Sequence, residues 1–599
     1  MALNSVDLKD TYGGTAQSGF GTFNTMSNSI AIQTGQIGNS GWRGLFIYSH
    51  ANTDGALQLG KVNQDQWLVK ADKQVGDFKI TLFGTYGQQQ YNNVAAITYP
   101  QLLAYGKRYG ALNNNPLSQQ FHDYNNSQKA TDMEYVKIEG GSNGWHFENT
   151  AYTYSYWYPQ YQNNGIDQTI EGNSSIANGG TINSVKIPTL TGGSTKTPII
   201  GVNPGDTVGY IKFNNYRAYG DILKVGKDID AGIASGTVRA GVWIEHVDNS
   251  RFQEYIDYTT YRTFPSLGNS TAASYKLDLT SRITNIQPFV EYDWRPIDGL
   301  TITPGFKYES FTRNHNALVN QTTLQTANFS ATYTAALPFL SVKYKFTPEI
   351  TAYAQASKGF LAPTVSAFYV FNPSGNSIQP QSTTNFQAGV VYKSDKITAD
   401  IDAYQITATN FPLTTTYSDG STVYQNAGTA RYRGVEAEGS YSVMKGLSLY
   451  GSAALMNSSY ISGNFNGLRV GDAPSYTLVA GAIYDDGMFF GSLLQKFTGD
   501  YYGSSGQRLT TSTTVGSMNH ISGYNTLDFV IGIRSSVLHD FGIGKSVSAK
   551  LGIYNILNHQ DTTGIGGDPA KAGTSINNTT MTYSFLPGRT ILGNLTIDF

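Results

Sequence analysis

Apolar and polar residues alternate with a period of two along almost the whole chain, and that period constrains the fold more than any other feature. In "FKITLFGTYG", Phe78, Ile80, Leu82, Gly84 and Tyr86 fall on one side and Lys79, Thr81, Phe83 and Thr85 on the other. This is the spacing of a strand with one apolar and one polar face. The same holds for "ITADIDAYQ", where Ile397, Ala399 and Ile401 oppose Asp400, Asp402 and Tyr404, for "LSLYGSAAL", and for "VSAKLGIY", which carries Lys550. Phe78 to Tyr86 spans roughly 26 Å of strand, nearer 20 Å after a tilt of about 40°, so the two aromatics can sit at the two interfaces of a bilayer. The apolar face suits lipid. The face bearing Lys79, Asp400, Asp402 and Lys550 suits a lumen filled with water or protein.

The connections alternate as regularly as the side chains. Short turns at 75–77, 298–299, 393–395, 444–446 and 485–487 are each followed by a longer link, among them 87–130, 160–208, 248–273, 313–328, 364–381, 502–522 and 560–580. Short turns on one rim and long loops on the other mark an outer-membrane barrel. Pairing each turn with its flanking strands predicts an all-β, membrane-spanning antiparallel barrel of 22 strands over residues 1–599, at about 27 residues per strand with its share of loop. No fixed repeat of about 40–50 residues supports a soluble propeller or β-helix.

Composition agrees. Charged residues are 14% of the chain, while Gly (65) and Tyr (42) abound, against roughly 25% charge in ordinary soluble domains. No run of about 18 apolar residues could form a membrane helix. With 40 Lys+Arg against 42 Asp+Glu, nothing points to nucleic acid. Cysteine is absent, so no thiolate metal site exists, and the eight histidines form no helical H-x-x-x-H pair; neither a metal nor a cofactor is expected. "GGSNG" (140–144) matches a nucleophile-elbow pattern and "FGIGKS" (541–546) is similar to a phosphate loop, yet both lie between strands and read as turns. The chain shows no catalytic constellation.

Several stretches resemble one family, the TonB-dependent outer-membrane receptors. "YAQASKGFLAPT" followed by "NPSGNSIQPQSTTNFQAG", then "RYRGVEAEGSYSVMKGLSLYGSAAL", "YNILNHQ" and "PGRTILGNLTIDF" stand in the family's order. The resemblance implies a receptor in the outer membrane of a Gram-negative bacterium that takes up a scarce ligand, most often a ferric siderophore or related iron chelate. It also implies energy from the TonB complex, delivery by the barrel assembly machinery, contact with outer-membrane lipid, and Phe599 as the terminal aromatic read as an assembly signal. The haem-uptake branch is disfavoured, because Leu361 stands where that branch has Arg and residues 364–371 hold no His. Family members also carry an N-terminal plug domain. Here "SVDLKDTYGGTAQSGFGTFNTMSNSIAIQTG" already resembles the first barrel hairpin, with "YGGTAQSGFG" as its outer loop, so neither plug nor signal peptide is expected within this chain.

Aromatic and basic loop residues are the candidate ligand contacts, since they can stack on a planar anion and donate charge-assisted hydrogen bonds. These are Trp157, Tyr158, Arg251, Tyr255, Tyr258, Tyr261, Arg262, Phe368, Tyr369, Tyr501, Tyr502 and Arg508. An aromatic girdle at the outer interface is the competing reading of Tyr152 to Tyr158. Other functions left open are a passive diffusion channel, uptake of an oligosaccharide or cobalamin, and loops that serve adhesion or phage docking.

Overall fold

A computed structural model describes residues 6–599 apart from 164–183, 189–193, 201–205, 268–273, 322–323, 366–378, 417–421, 427, 464, 505–518, 537–543 and 568–580. Twenty-two antiparallel strands, each hydrogen-bonded to the next, form one sheet. The sheet closes where Tyr12–Gly21 pairs with Thr590–Asp598 in the register Thr15↔Asp598 to Gly21↔Leu592. Closure leaves no edge, the condition for crossing hydrocarbon with strands.

The side-chain alternation sorts consistently around the sheet. Leu82, Val136, Ile244, Val290, Leu340, Ile401, Leu449 and Leu595 are exposed on the outer face, while Lys79, Asp400, Asp402 and Lys550 lie on the inner one, each flanked in sequence by residues of the outer set. The short turns are local chemistry. Gly76 and Gly446 take φ of 58° and 85°, values that a residue with a Cβ adopts only under strain. At 485–487 the Asp486 carboxylate accepts the amides of Met488 (2.9 Å) and Phe489 (2.7 Å); the Phe489 amide is the main reason its pKa lies below the usual carboxylate range.

Strand length divides the wall in two. Six consecutive strands, Trp145–Asn163, Val208–Ile229, Gly236–Asp257, Tyr275–Trp294, Leu300–Val319 and Ala327–Lys345, run 19 to 22 residues. Near the seam, Ser546–Tyr554 and Thr590–Asp598 have only 9. The tall arc therefore continues well beyond the apolar belt. Two sequence expectations fail for that reason: Trp157 and Tyr158, and Arg251 to Asp257, belong to strands rather than loops, and only residues beyond Asp257 start the second loop.

The first hairpin also differs from expectation. "YGGTAQSGFG" is the first strand itself, and its outer connection is the tight turn at Thr22–Asn24, where Phe23 and Asn24 have φ of 61° and 51°. Residues 6–10 run along the inner wall instead: Lys70 Nζ bonds the Val6 carbonyl (2.8 Å), Gln33 Nε2 the Asp7 carbonyl (3.2 Å) and Arg43 Nη1 the Leu8 carbonyl (3.3 Å). A Gly-rich strand has little apolar face to show, which is why it reads as a loop.

Above the long-loop rim, residues 93–125 fold across the mouth. They contain the helix Tyr99–Tyr105, started by a capping box between Thr98 and Gln101 and by Pro100. The strand Ile97–Thr98 pairs with Thr582–Phe585, Lys107 Nζ reaches the Gln560 carbonyl (2.6 Å), and Gln119 Nε2 reaches the Val208 carbonyl (2.6 Å). Distant loops are thereby tied into one cover.

Candidate functional site

The tall arc carries a ladder of tyrosines on its inner face. Alternation along Trp145–Asn163 turns Tyr152, Tyr154, Tyr156 and Tyr158 into the lumen, so the girdle reading of these four is not what the structure shows. The Tyr156 ring stacks on Tyr216 of the next strand at 5.1 Å and 16°, and Lys129 Nζ lies 5.4 Å from its centroid. Tyr158 exchanges a hydrogen bond with Tyr91 (2.5 Å). Lower down, Gly220 faces Tyr152 across the strand pair, and a Cβ there would stand 2.1 Å from the ring. The missing side chain lets Tyr152 lie over the neighbouring strand, donate to Glu245 (2.7 Å) and accept from Trp243 Nε1 (2.7 Å).

These groups border a cavity of about 620 Å³ on the inner wall, within the range of small-molecule sites. Tyr154, Tyr216, Trp243, Glu245, Arg251 and Arg313 line it, and the segment 360–365 forms another side. Arg313 fixes that segment by donating to the Pro363 carbonyl. Charge is layered by depth. Gly236–Asp257 and Leu300–Val319 both run from the short-turn rim upward, so Arg251 and Arg313 stand nearer the mouth than Glu245 and Glu309 on the same strands. Tyr152 occupies Glu245, and Gln287 donates to Glu309. An anion is attracted at the guanidinium level and repelled one level deeper.

The residues singled out in the sequence separate into distinct places. Arg251 and Tyr158 face the lumen within the tall arc. Trp157 does not: it points outward, 41% exposed, against Phe213. Tyr255 and Tyr258 are buried in the packing of the mouth. Tyr258 stacks on Tyr124 at 4.8 Å and donates to the Gln162 carbonyl, and burial holds its hydroxyl well above the ordinary pKa, so it stays a donor. Arg262 is ion-paired with Asp206 (2.6 Å), whereas Tyr261 is exposed. Tyr501 is buried with Ile521, Ile565 and Met581, and Tyr502 sits beneath Arg469, 5.8 Å from its guanidinium. Phe368, Tyr369 and Arg508 lie outside the described residues. Phe599 joins the closure, exchanging backbone hydrogen bonds with Gly14 at 2.9 and 3.0 Å. Sequence reasoning missed Tyr216, Trp243, Glu245 and Arg313; alternation in "VWIEHV" already places Trp243 and Glu245 on one face. Among the described residues no group of His, Cys, Asp or Glu is arranged to hold a metal ion.

Residues 7–556 match the family model described as TonB dependent receptor-like, beta-barrel. Among solved structures, the ferric citrate transporter FecA in its unliganded form is similar at a TM-score of 0.73 and 14% identity, covering 99% of this chain and 80% of that one. The siderophore receptor PiuA from Acinetobacter baumannii gives 0.71 and 12%, covering 99% and 82%. The ferric yersiniabactin uptake receptor FyuA from Yersinia pestis gives 0.70 and 14%, covering 99% and 81%. At such identities the likeness concerns the fold. Members of the matched family are transport receptors of the Gram-negative outer membrane. Alternating wall, closed 22-strand sheet and family match converge: this chain belongs to the TonB-dependent receptor family, of which it carries the β-barrel.

Proposed function

We propose that this barrel, in the outer membrane of a Gram-negative bacterium, takes up an anionic iron chelate such as a ferric siderophore and that TonB supplies the energy. The observation that carries the reading is the layered cavity, with Arg251 and Arg313 above Glu245 and Glu309 and tyrosine rungs beside them. A ferric chelate with peripheral carboxylates or catecholates offers acceptors to the guanidiniums and flat faces to the rings. The deeper carboxylates hold it at the upper level. No bond is made or broken; the wall binds and orients.

The test is equilibrium binding of ferric citrate, and of a neutral ferric hydroxamate as the contrast, to the refolded chain, read by quenching of Tyr and Trp fluorescence. Arg251→Ala and Arg313→Ala are each expected to weaken the anionic chelate by roughly tenfold, the effect of one lost charge-assisted contact. The neutral chelate should change far less. Equal weakening of both chelates, or none, overturns the anionic reading.

A further inference from the structure

Above the guanidinium level the inner wall of the tall arc carries a second pair of cations. Lys212 is paired with Gln253, one rung above the pair Asn214 and Arg251, and it shares the inward face of Val208–Ile229 with Asn214 and Tyr216. It lies roughly 23 Å further along the strand than the exposed Tyr219 of the apolar belt. On the other side of the same strand, Gln253 meets Leu277 while Glu254 meets Tyr275, so Lys276 is the extra residue of a bulge. A bulge re-aims a side chain. Here it brings Lys276 into the field of Lys212, with the buried Gln253 on the strand between them. Two strand spacings, roughly 10 Å, separate the two backbones, a gap that lysine side chains reach into from either side.

The charges that act on this pair are themselves positive. Arg251, a diagonal neighbour roughly 7–8 Å away, acts on Lys212, and Lys212 acts on Lys276. Burial and then Arg251 lower the pKa of Lys212; burial and then Lys212 push Lys276 down to about 8. Both side chains are half-buried. The other charged groups on this part of the wall are engaged elsewhere. Lys129 lies over Tyr156, Arg313 holds the Pro363 carbonyl, and His315, whose pKa burial and then Arg313 lower to about 4, is uncharged near neutrality. Asp257 accepts from the Thr207 amide and the Thr259 and Thr260 hydroxyls, Glu254 from Ser274, and Asp206 from Arg262. Glu245 and Glu309 stand below the guanidiniums. The adjoining sequence at 201–205 and 268–273, "GVNPG" and "GNSTAA", holds no acidic residue. Among the described residues, Lys212 and Lys276 therefore remain two ammoniums without a carboxylate.

We propose that Lys212 and Lys276 seat a tetrahedral dianion between them, a phosphate that enters the lumen as the free ion or as a monoester of a small solute. Two uncompensated positive charges call for two negative ones. A phosphate monoester supplies them at neutral pH, whereas a single carboxylate leaves one ammonium unmatched. Each ammonium is a compact point charge with three donors, so the pair can take separate oxygens of one tetrahedron. The bulge fixes this aim from the backbone, independently of the segment 360–365 that shapes the cavity below. The inference goes beyond the iron chelate reading and does not rest on it, since it concerns other side chains and another ligand.

The test is isothermal titration calorimetry of the refolded, detergent-solubilised chain with phenyl phosphate, inorganic phosphate, sulfate and acetate, at low ionic strength and without iron. Near neutral pH, phenyl phosphate should bind roughly tenfold more tightly than acetate. Inorganic phosphate that matches it assigns the free ion; weaker inorganic phosphate assigns the monoester. Lys212→Met and Lys276→Met should each weaken phenyl phosphate by roughly tenfold. Its affinity should also fall below about pH 6, where the monoester gains a second proton, and above about pH 8, where Lys276 loses its own. Sulfate, a dianion throughout, should show the alkaline limb alone. Lys276→Arg should keep the affinity and move that limb to higher pH. Heat-modifiable mobility on gels confirms that each variant is a closed barrel, and Lys276→Arg, which keeps the charge, serves should a Met variant not fold. Phenyl phosphate bound no better than acetate, affinity unchanged in both Met variants, or an alkaline limb unmoved in Lys276→Arg overturns the proposal. Ferric citrate is titrated separately, so a failure here leaves the chelate reading standing and a failure there leaves this one.

Discussion

Two arcs of the inner wall, both close to the short-turn rim, handle charge in opposite ways. On one, Arg43–Asp72 (2.9 Å), Asp72–Lys79 (3.7 Å), Lys79–Glu139 (3.4 Å), Glu139–Lys137 (2.5 Å), Lys137–Glu148 (3.4 Å) and Glu148–Lys224 (2.7 Å) form an unbroken chain of opposite signs across six strands. On the other, Asp400 faces Glu438 and Asp402 faces Glu436 directly across one strand pair. Relief there comes from hydroxyls: Tyr450 donates to Glu438 (3.2 Å) and Tyr353 to Asp402 (3.4 Å). Opposite charges across a strand pair favour its register and like charges oppose it. The comparison teaches that register in this barrel comes from backbone pairing and the apolar outer face, because a wall with like charges in register still closes.

The largest expected effect breaks the neutral chain at its centre. Lys137→Met leaves Glu139 and Glu148 without the ammonium between them and should cost about 1–2 kcal/mol, seen as a lower urea midpoint of the refolded barrel. No loss would mean that the chain of pairs contributes nothing beyond solubility. A smaller effect of the opposite sign is expected on the acidic arc. Glu436→Gln with Glu438→Gln should stabilise by up to about 1 kcal/mol, and about 1 M salt, where the Debye length is near 3 Å, should erase most of that gain. Destabilisation by this pair of changes would show that the carboxylates are held by partners rather than repelled.

The smallest effect is a reference outside both arcs. Asp500, in the link before Tyr501, accepts from Ser475 (2.9 Å) and pairs with His520 and Arg469, both at 3.2 Å. The hydrogen bond from the Ser475 hydroxyl, then those from His520 and Arg469, hold its pKa below the ordinary value. A depressed folded pKa contributes stability that is present above the unfolded pKa and lost as pH falls through the folded one. Amide exchange around Tyr501 and Tyr502 should therefore quicken only below about pH 4. Quickening that begins well above the ordinary carboxylate range would show that Asp500 does not hold this link.

Strands and short turns were legible because both are local: a period of two needs only neighbours in sequence, and a Gly or Asp at a turn acts within four residues. What escaped was whatever needs register. Tyr12–Gly21 carries small residues on both faces and shows no period. Arg251 and Tyr255 sit where a strand outruns the membrane, so that polar residues face both ways and the pattern ends before the strand does. Tyr154 and Trp157 are three residues apart and lie on opposite faces. Local composition scores both as aromatic; only the pairing of Trp145–Asn163 with Val208–Ile229 separates the one in the lumen from the one outside. The layered cavity depends on the six strands of the tall arc and the segment 360–365, which no window of sequence brings together.

The seam between the first and last strands also has a meaning in time. Thr15 Oγ1 bonds Asp598 Oδ1 at 2.8 Å across 583 residues of chain, and bringing two such distant points together costs on the order of 6 kcal/mol of chain entropy before any bond forms. Synthesis at about 5–20 residues per second delivers the closing strand on the order of 30–120 s after the opening one. Throughout that interval Tyr12–Gly21 waits with one row of amides and carbonyls unclaimed, the template onto which any other strand could add. Whatever carries the chain to its membrane must therefore act as a clock as well as a carrier, shielding the first edge until its partner, made last, arrives.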